Sequence, residues 1–160
     1  MRDAEFERLY EEHAQGLFGF LAYRTGDRVL AEDLVSDTFE RVLRSRTRFD
    51  PRRGRQKAWV YAIAMNLLKD AARRRQTEER ALERVTVGAP DDSSPHDALD
   101  ERDALRRAME GLSAEERDVV ALRFGADLPV KEIASAIGES MTTTEGRLYR
   151  ALRKLKQELG

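Results

Sequence analysis

Apolar residues recur at spacings of three and four along most of the chain, which is the period of an amphipathic helix. The first such stripe runs from Phe6 to Leu21 and predicts a helix that ends at Thr25-Gly26-Asp27. A second stripe, from Leu30 to Leu43, fades at Arg44-Ser45-Arg46. The segment Phe49-Asp50-Pro51 and Gly54 then break regular structure, so a loop follows the second helix.

A third helix is predicted to begin near Gln56 and to end in a basic last turn. Its expected buried side consists of Trp59, Ile63, Leu67 and Ala71. Its expected carboxyl end is formed by Lys69, Arg73, Arg74 and Arg75, because cations stabilise the carboxyl end of a helix.

Periodicity is lost between about Val87 and Asp97, where Pro, Gly, Ser and Asp predominate. This composition predicts a flexible acidic linker. Ser94-Pro95 and Asp97 resemble the start of the next helix. The pattern therefore indicates an all-α chain of two small helical domains, residues 1–80 and 98–160, joined by a linker over 81–97.

The second domain has clear helix boundaries. Ser113 and Glu116 have the spacing of a capping box, Gly125 and Gly138 are expected to end helices, and Ser140 to cap the last one. A short helix, a glycine turn and a long basic helix are typical of a helix-turn-helix. Two helices joined at a glycine also occur in bundles that bind no nucleic acid.

Composition argues against chemistry carried out by the chain itself. It has no cysteine and only two histidines, His13 and His96, which lie far apart in the sequence. We therefore expect no catalytic residue, no metal site, no cofactor and no small-molecule substrate, and a hydrolase or nuclease is disfavoured because no nucleophile–base pair is visible. Apolar runs are too short to cross a bilayer and no signal-peptide pattern is seen, which favours a cytoplasmic protein.

The charges are segregated, although 29 Lys and Arg nearly balance 30 Asp and Glu. Residues 1–40 carry 4 basic and 10 acidic side chains, residues 41–75 carry 12 and 2, residues 76–104 carry 3 and 9, and residues 105–160 carry 10 and 9. A polyanion responds to the field within about 8 to 10 Å, so the basic block matters more than the total charge. A solvated helix face is the alternative interpretation.

Three segments in order resemble the extracytoplasmic-function (ECF) group of bacterial sigma-70 factors, the dissociable specificity subunits of RNA polymerase. Residues 31–42 (AEDLVSDTFERV) resemble its region 2.2, and residues 59–66 (WVYAIAMN), with the following Lys69-Asp70 and Arg73 to Arg75, resemble its promoter-melting and −10-reading segment. Residues 112–117 (LSAEER), Glu132-Ile133-Ala134, Gly138 and Arg147-Leu148 resemble its region 4.

The resemblance implies three sets of functional residues. The first would contact core RNA polymerase at its clamp, with the flap as a further polymerase contact: Glu32, Asp33, Leu34, Asp37, Phe39 and Glu40. A solvated acidic face is the alternative for the carboxylates of this set.

The second set would bind the −10 element, with the specificity loop at about Thr47 to Gln56: Arg52, Arg53, Arg55, Trp59, Tyr61, Asn66, Lys69, Arg73 and Arg74. The arginines and Lys69 could neutralise phosphates, and Asn66 could bond a base edge. Trp59 and Tyr61 could stack on unpaired bases. Trp59 is also expected on the apolar stripe, which favours core packing for its ring, whereas Tyr61 is expected off that stripe.

The third set would bind the −35 element through the recognition helix, residues 141–156: Thr142, Thr143, Thr144, Glu145, Arg147, Arg150, Arg153 and Lys154. The family commonly has Lys-Ser where this chain has Glu145-Gly146. Glu145 could accept a hydrogen bond from a cytosine amino group or be repelled by phosphate. Gly146 costs a helix interior about 1 kcal/mol relative to alanine.

The expected function is therefore that of a sigma factor that binds core polymerase, directs it to specific promoters and assists strand opening. The implied partners are core polymerase, promoter DNA in duplex and single-stranded form, and an anti-sigma protein that could hold the chain at the membrane. The acidic linker could occupy a basic channel of polymerase or simply be solvated. The alternative function is a stand-alone helix-turn-helix regulator that does not bind core polymerase.

Overall fold

The computed structural model describes residues 1–81 and 99–160. Within these residues the fold is all-helical, as the sequence predicts. The helices are α1 (Asp3–Thr25), α2 (Arg28–Arg44), α3 (Gln56–Ala81), α4 (Leu99–Glu110), α5 (Ala114–Val120), α6 (Val130–Ile137) and α7 (Met141–Leu159). None of the helices in these two stretches is long and apolar enough to span a membrane.

The turn between α1 and α2 forms where the sequence predicts it. Gly26 adopts a left-handed conformation with φ of 66° and donates its N–H to the carbonyl of Ala22, which closes α1. The Asp27 carboxylate then accepts from the N–H groups of Val29 and Leu30 at 3.0 and 3.1 Å, which caps α2.

The structure corrects two expectations about α3. The helix continues to Ala81, past the predicted basic end. Its most buried side is formed by Ala58, Val60, Tyr61, Ala64, Met65 and Leu68, whereas the predicted stripe (Trp59, Ile63, Leu67 and Ala71) is only partly buried. The reason is that α3 packs against α1 and α2 and also against α6, so its buried surface is wider than a single stripe.

The second half contains the predicted capping box. The N–H of Glu116 donates to Ser113 Oγ at 3.1 Å, and the Ser113 N–H donates to Glu116 Oε1 at 2.9 Å. Helix α5 continues into a π-helical turn that ends at Gly125. The predicted helix start at Ser94-Pro95 and most of the predicted linker lie outside the described residues.

The predicted helix-turn-helix is formed by α6 and α7. Gly138 ends α6 in a left-handed conformation with φ of 71°. Ser140 caps α7 by accepting from the N–H of Thr143 at 3.1 Å. Both boundaries are confirmed.

The two halves pack on one another. Leu122, Leu128 and Ile133 of the second half are fully buried in the same continuous cluster of side chains as the core of α1, α2 and α3. Two ion pairs cross the contact: Arg24 with Asp118, and Arg55 with Glu132. Burial raises the pKa of the Asp118 carboxyl, although the charge of Arg24 and its hydrogen bond oppose this shift.

Candidate nucleic-acid interface

The basic loop between α2 and α3 has a defined local structure. Two short 3-10 turns, Arg46–Arg48 and Pro51–Arg53, form it. The Asp50 carboxylate accepts from the Arg52 N–H at 3.0 Å and from Arg52 Nε at 3.1 Å. These two hydrogen bonds lower the pKa of the Asp50 carboxyl, the side-chain bond more than the backbone bond. The loop is therefore held by its own acidic residue.

The loop and the start of α3 enclose a cavity of about 410 Å³. Its walls include Arg48, Phe49, Asp50, Arg53 and Trp59. The Phe49 and Trp59 rings lie with centroids 5.4 Å apart, and Trp59 is partly buried against the core, as its predicted position on the apolar side implies. Arginines and aromatic rings around one cavity are the groups that hold an unpaired nucleotide. The sequence placed Phe49 within the expected specificity loop, Thr47 to Gln56, but its ring was not among the residues predicted to bind the −10 element.

Tyr61 does not contribute to that surface. Its side chain is 2% exposed and its ring packs edge-on against Phe20, with centroids 5.5 Å apart. Burial raises the pKa of the Tyr61 hydroxyl to about 12. The expectation that Tyr61 lies off the buried side, available for base stacking, is wrong because α3 buries neighbouring positions on more than one side.

The cations on α3 differ in their partners. Asn66, Lys69, Arg73 and Arg74 are exposed. Arg73 and Arg74 form no ion pair with another described residue, whereas Arg75 lies 3.7 Å from an Asp27 carboxylate oxygen. The structure therefore leaves part of the basic segment free to bind phosphate.

The loop cations are more often paired with carboxylates. Arg52 pairs with Asp50, and Arg55 donates to Glu132 at 2.7 Å. Arg48 and Arg53 are exposed and form no ion pair within the described parts of the chain. The basic block is therefore only partly compensated by acidic residues.

The predicted polymerase-binding residues of α2 separate into two groups. Glu32, Asp33 and Asp37 are exposed, and Glu40 is exposed with an ion pair to Arg44 at 2.5 Å. The other two predicted contact residues are buried.

Leu34 and Phe39 are each 3% exposed and belong to the core of the first half. The Phe39 ring packs edge-on against Tyr10 and Phe6, at 4.9 and 6.3 Å between centroids. The expectation of direct contact by Leu34 and Phe39 is corrected, because these side chains hold α2 in place and only the carboxylate face is open.

The first turns of α7 present most of the predicted base-reading residues to solvent. Thr142, Thr143 and Glu145 are exposed. Thr144 is fully buried and its hydroxyl donates to the Ser140 carbonyl at 2.8 Å, so the prediction that it faces a base is wrong. The Thr144 side chain points into the fold because it belongs to the buried side of α7, together with Ala151 and Leu155.

The basic residues of α7 are also not equivalent. Arg150 and Arg153 are exposed. Arg147 lies 3.8 Å from a Glu139 oxygen with its side chain 20% exposed. Lys154 donates to Glu116 at 2.7 Å, and this hydrogen bond is the largest cause of the lowered pKa of the Glu116 carboxyl. Lys154 therefore joins α7 to the start of α5.

Tyr149 is a candidate that sequence reasoning missed. Its side chain is 67% exposed, and it lies four residues after Glu145 and seven after Thr142. These spacings place the three residues on one face of the helix. The sequence contains this signal, since Tyr149 follows Glu145 by four positions and Thr142 by seven.

Known protein families and relatives match this sequence in both of its halves. The family model described as Sigma-70 region 2 matches residues 9–78, and that described as Sigma-70, region 4 matches residues 102–155. CarQ, an RNA polymerase sigma factor of Myxococcus xanthus, is 33% identical over 97% of this chain and 89% of its own length. BldN, an ECF RNA polymerase sigma factor of Streptomyces coelicolor, is 33% identical over 96% of this chain, which spans 60% of BldN.

A solved structure has the same fold. The sigma factor RpoE of Bartonella quintana, in complex with the anti-sigma factor NepR, superposes with a TM-score of 0.77 at 23% identity, over 97% of this chain and 96% of that one. The two family models and the sequence relatives together cover both halves. The chain therefore belongs to the ECF group of the sigma-70 family of RNA polymerase sigma factors.

Proposed function

We propose that this chain binds core RNA polymerase, directs it to specific promoters and assists strand opening during transcription initiation. The observation that carries the proposal is the cavity of arginines and aromatic rings at the start of α3, followed on the same helix by the exposed Arg73 and Arg74. Such a surface suits an unpaired base and its neighbouring phosphates. The chain supplies binding groups, and the chemistry of RNA synthesis belongs to polymerase.

The −10 element is assigned to the first half. Arg48 and Arg53, with Phe49 and Trp59, would hold a base extruded from the duplex, while Asn66, Lys69, Arg73 and Arg74 would contact the strand beyond it. Contacts to phosphate contribute affinity, and contacts to the base contribute sequence preference. Tyr61 is left out because its ring is buried.

The −35 element is assigned to α7. Thr142, Thr143, Glu145 and Tyr149 would face base edges, and Arg150 and Arg153 would face phosphates. We expect Glu145→Gln to relax the preference for one base position, since a carboxylate accepts from a cytosine amino group. A uniform gain of affinity for all duplex sequences would instead identify Glu145 as a residue that phosphate repels.

The exposed carboxylates of α2 are assigned to core polymerase. The test compares two double charge reversals with the same spacing. Asp33→Arg with Asp37→Arg changes the assigned face, and Glu7→Arg with Glu11→Arg changes exposed positions on α1. We expect only the α2 variant to lose comigration with core polymerase in gel filtration and to lose promoter-dependent run-off transcript.

The same experiment addresses the stand-alone regulator. A wild-type chain that binds duplex DNA but does not comigrate with core polymerase would reject the sigma-factor function. Family membership supports the sigma factor, and no observation in the structure favours the regulator. We expect the chain to act where core polymerase is found, in the cytoplasm.

An anti-sigma protein is the other proposed partner. A structural relative was solved with an anti-sigma factor bound. In this chain a groove between α1 and the second half is lined by exposed apolar side chains, among them Tyr23, Leu105, Phe124 and Leu152. Contiguous exposed apolar surface marks interaction sites. The groove is therefore our candidate surface for the regulator, and Phe124→Asp is the variant expected to weaken its binding.

A further inference from the structure

A buried carboxylate connects the recognition helix α7 to the start of α5. Glu116 is 5% exposed, and its Oε1 accepts from the Ser113 N–H at 2.9 Å and from Lys154 Nζ at 2.7 Å. These bonds favour the ionised carboxylate and lower the pKa of Glu116, the Lys154 bond most of all. A buried charge with two donors is held in one place, so Glu116 fixes the end of the Lys154 side chain.

Lys154 leaves α7 beside the contact that this helix makes with α5. Ala151 and Leu155 of α7 are buried in one cluster with Val120 of α5. Lys154 follows Ala151 by three positions and precedes Leu155 directly, so its stem runs along the edge of this cluster. The ammonium group therefore reaches Glu116 across the two helices, although the side chain stays 51% exposed.

The neighbouring arginines of α7 have no such partner on another helix. Arg150 and Arg153 are exposed and form no ion pair with any residue in the stretches 1–81 and 99–160. Arg147 lies 3.8 Å from a Glu139 oxygen, but Glu139 belongs to the turn directly before α7. Lys154 differs from these arginines because its partner lies on a separate helix, 38 positions earlier in the chain.

A small tilt of α7 is enough to misplace its base-reading turns. Thr142 lies nine residues before the buried Ala151, which is about 13 Å along the helix axis. A tilt of about 10° around Ala151 moves Thr142 by about 2 Å, whereas successive bases of one strand are about 3.4 Å apart. Binding groups need placement within about 0.5 Å, so an attachment near the carboxyl end of α7 affects what its amino end can read.

We propose that Lys154 is a positioning residue of the recognition helix: through Glu116 it sets the tilt of α7, so that the base-reading side chains meet the −35 element in register. Its contribution lies in the preference among base sequences, while Arg150 and Arg153 supply the phosphate contacts. The phosphate contact expected for Lys154 from the sequence is the competing role. The inference rests on the proposed function, in which α7 reads the −35 element.

Two substitutions weaken the pair from opposite sides. Lys154→Met removes the charge and keeps a side chain of similar length. Glu116→Gln weakens the bond to Lys154 and keeps an acceptor for the Ser113 N–H, because glutamine also serves in a capping box. The two roles predict opposite results for Glu116→Gln, since a positioning Lys154 loses its anchor and a phosphate-binding Lys154 is released to DNA. A positioning role also predicts that the double variant loses no more than Lys154→Met alone.

Two control variants separate the charge and the stability of this region from the pair itself. Arg153→Met removes the exposed cation at the adjacent position. Ser113→Ala weakens the same helix start and leaves Glu116 and Lys154 unchanged, so it reports the effect of lower stability alone.

The assay titrates the complex of core polymerase and each full-length variant with fragments of a promoter mapped by run-off transcription. The fragments carry the upstream element of that promoter or single-base substitutions in it. The titrations are repeated at several salt concentrations, which gives the slope of log K against log salt for each variant. Urea titration gives the free energy of unfolding.

One wrong base pair in a recognised element weakens binding by roughly 5- to 150-fold. We expect Lys154→Met to reduce this penalty by about fivefold, and Glu116→Gln to reduce it in the same direction. Both salt slopes should change by clearly less than the value of about 0.9 for one duplex phosphate. Arg153→Met should instead make the slope shallower by about 0.9 and keep the penalty. Ser113→Ala should change neither quantity.

Three results would overturn the positioning role. The first is a penalty that Lys154→Met leaves unchanged. The second is a slope shallower by about 0.9 in Lys154→Met, which identifies Lys154 as a phosphate ligand. The third is an equal loss of the penalty in Ser113→Ala, which shows that stability alone sets the preference. Failure of the wild type to comigrate with core polymerase in gel filtration is a separate result, which rejects the sigma-factor function and the positioning role with it.

Discussion

The salt dependence of promoter binding gives the sharpest test of the proposed DNA surface. Arg73 and Arg74 are exposed and form no ion pair within the described residues, so each can neutralise a phosphate of the melted strand. Arg75, the next residue, already lies 3.7 Å from an Asp27 oxygen. The perturbation is the double change Arg73→Gln and Arg74→Gln, and the matched control is Arg75→Gln.

The expected magnitude follows from counterion release. Each phosphate contact on single-stranded nucleic acid contributes about −0.7 to the slope of log K against log salt, so the double variant should lose about 1.4 from that slope. At 0.15 M salt this corresponds to a roughly tenfold weaker complex, and the loss grows as salt is lowered. Arg75→Gln should change the slope by clearly less, because its charge is partly matched within the fold.

The assay is binding of the complex of core polymerase and this chain to a fork-junction probe, taken from a promoter mapped by run-off transcription. Affinity is measured at several salt concentrations for wild type, double variant and control. A slope that is unaltered in the double variant would remove Arg73 and Arg74 from the DNA interface. A slope that changes equally for Arg75→Gln would show that general charge, rather than unpaired cations, sets the effect.

Three further predictions concern stability and titration. Ser113→Ala removes one half of the capping box and should lower the free energy of unfolding by about 1 kcal/mol, measured by urea titration. Gly146→Ala should raise the free energy of unfolding by about 0.5–1 kcal/mol, since a Cβ there meets only the flexible end of Arg150 at 3.4 Å; a loss would show that the turn of α7 needs glycine. The pKa of Tyr61 near 12 lies above the usual value of 10, so its contribution to stability is complete below pH 10 and is lost between pH 10 and 12. Tyr61→Phe should abolish this alkaline loss, and unfolding curves that remain equally pH-dependent would contradict it.

Local signals in the sequence predicted several helix boundaries correctly, although not the carboxyl end of α3. Gly26, Asp27, Ser113, Gly138 and Ser140 each act through their own backbone or through groups within four residues. Such features depend on short-range geometry and chemistry, which a single sequence contains. The all-helical fold and the helix-turn-helix could be predicted from the sequence for the same reason.

The burial of individual side chains is harder to predict from the sequence, because it depends on packing between distant elements. Tyr61 and Thr144 were expected to face nucleic acid, and both are buried. Leu34 and Phe39 were expected to contact polymerase, and both belong to the core. Leu34, Phe39 and Thr144 each adjoin an exposed polar residue in the sequence, whereas Tyr61 lies between Val60 and Ala62. The burial of each side chain depends on how its helix packs in the fold.

Sequence periodicity also did not reveal that the two halves share a buried contact. Arg24 and Asp118 are 94 positions apart, and Arg55 and Glu132 are 77 apart. Each of these side chains, considered alone in the sequence, is an ordinary charged residue on a helix or loop. Only the tertiary arrangement shows that they face one another.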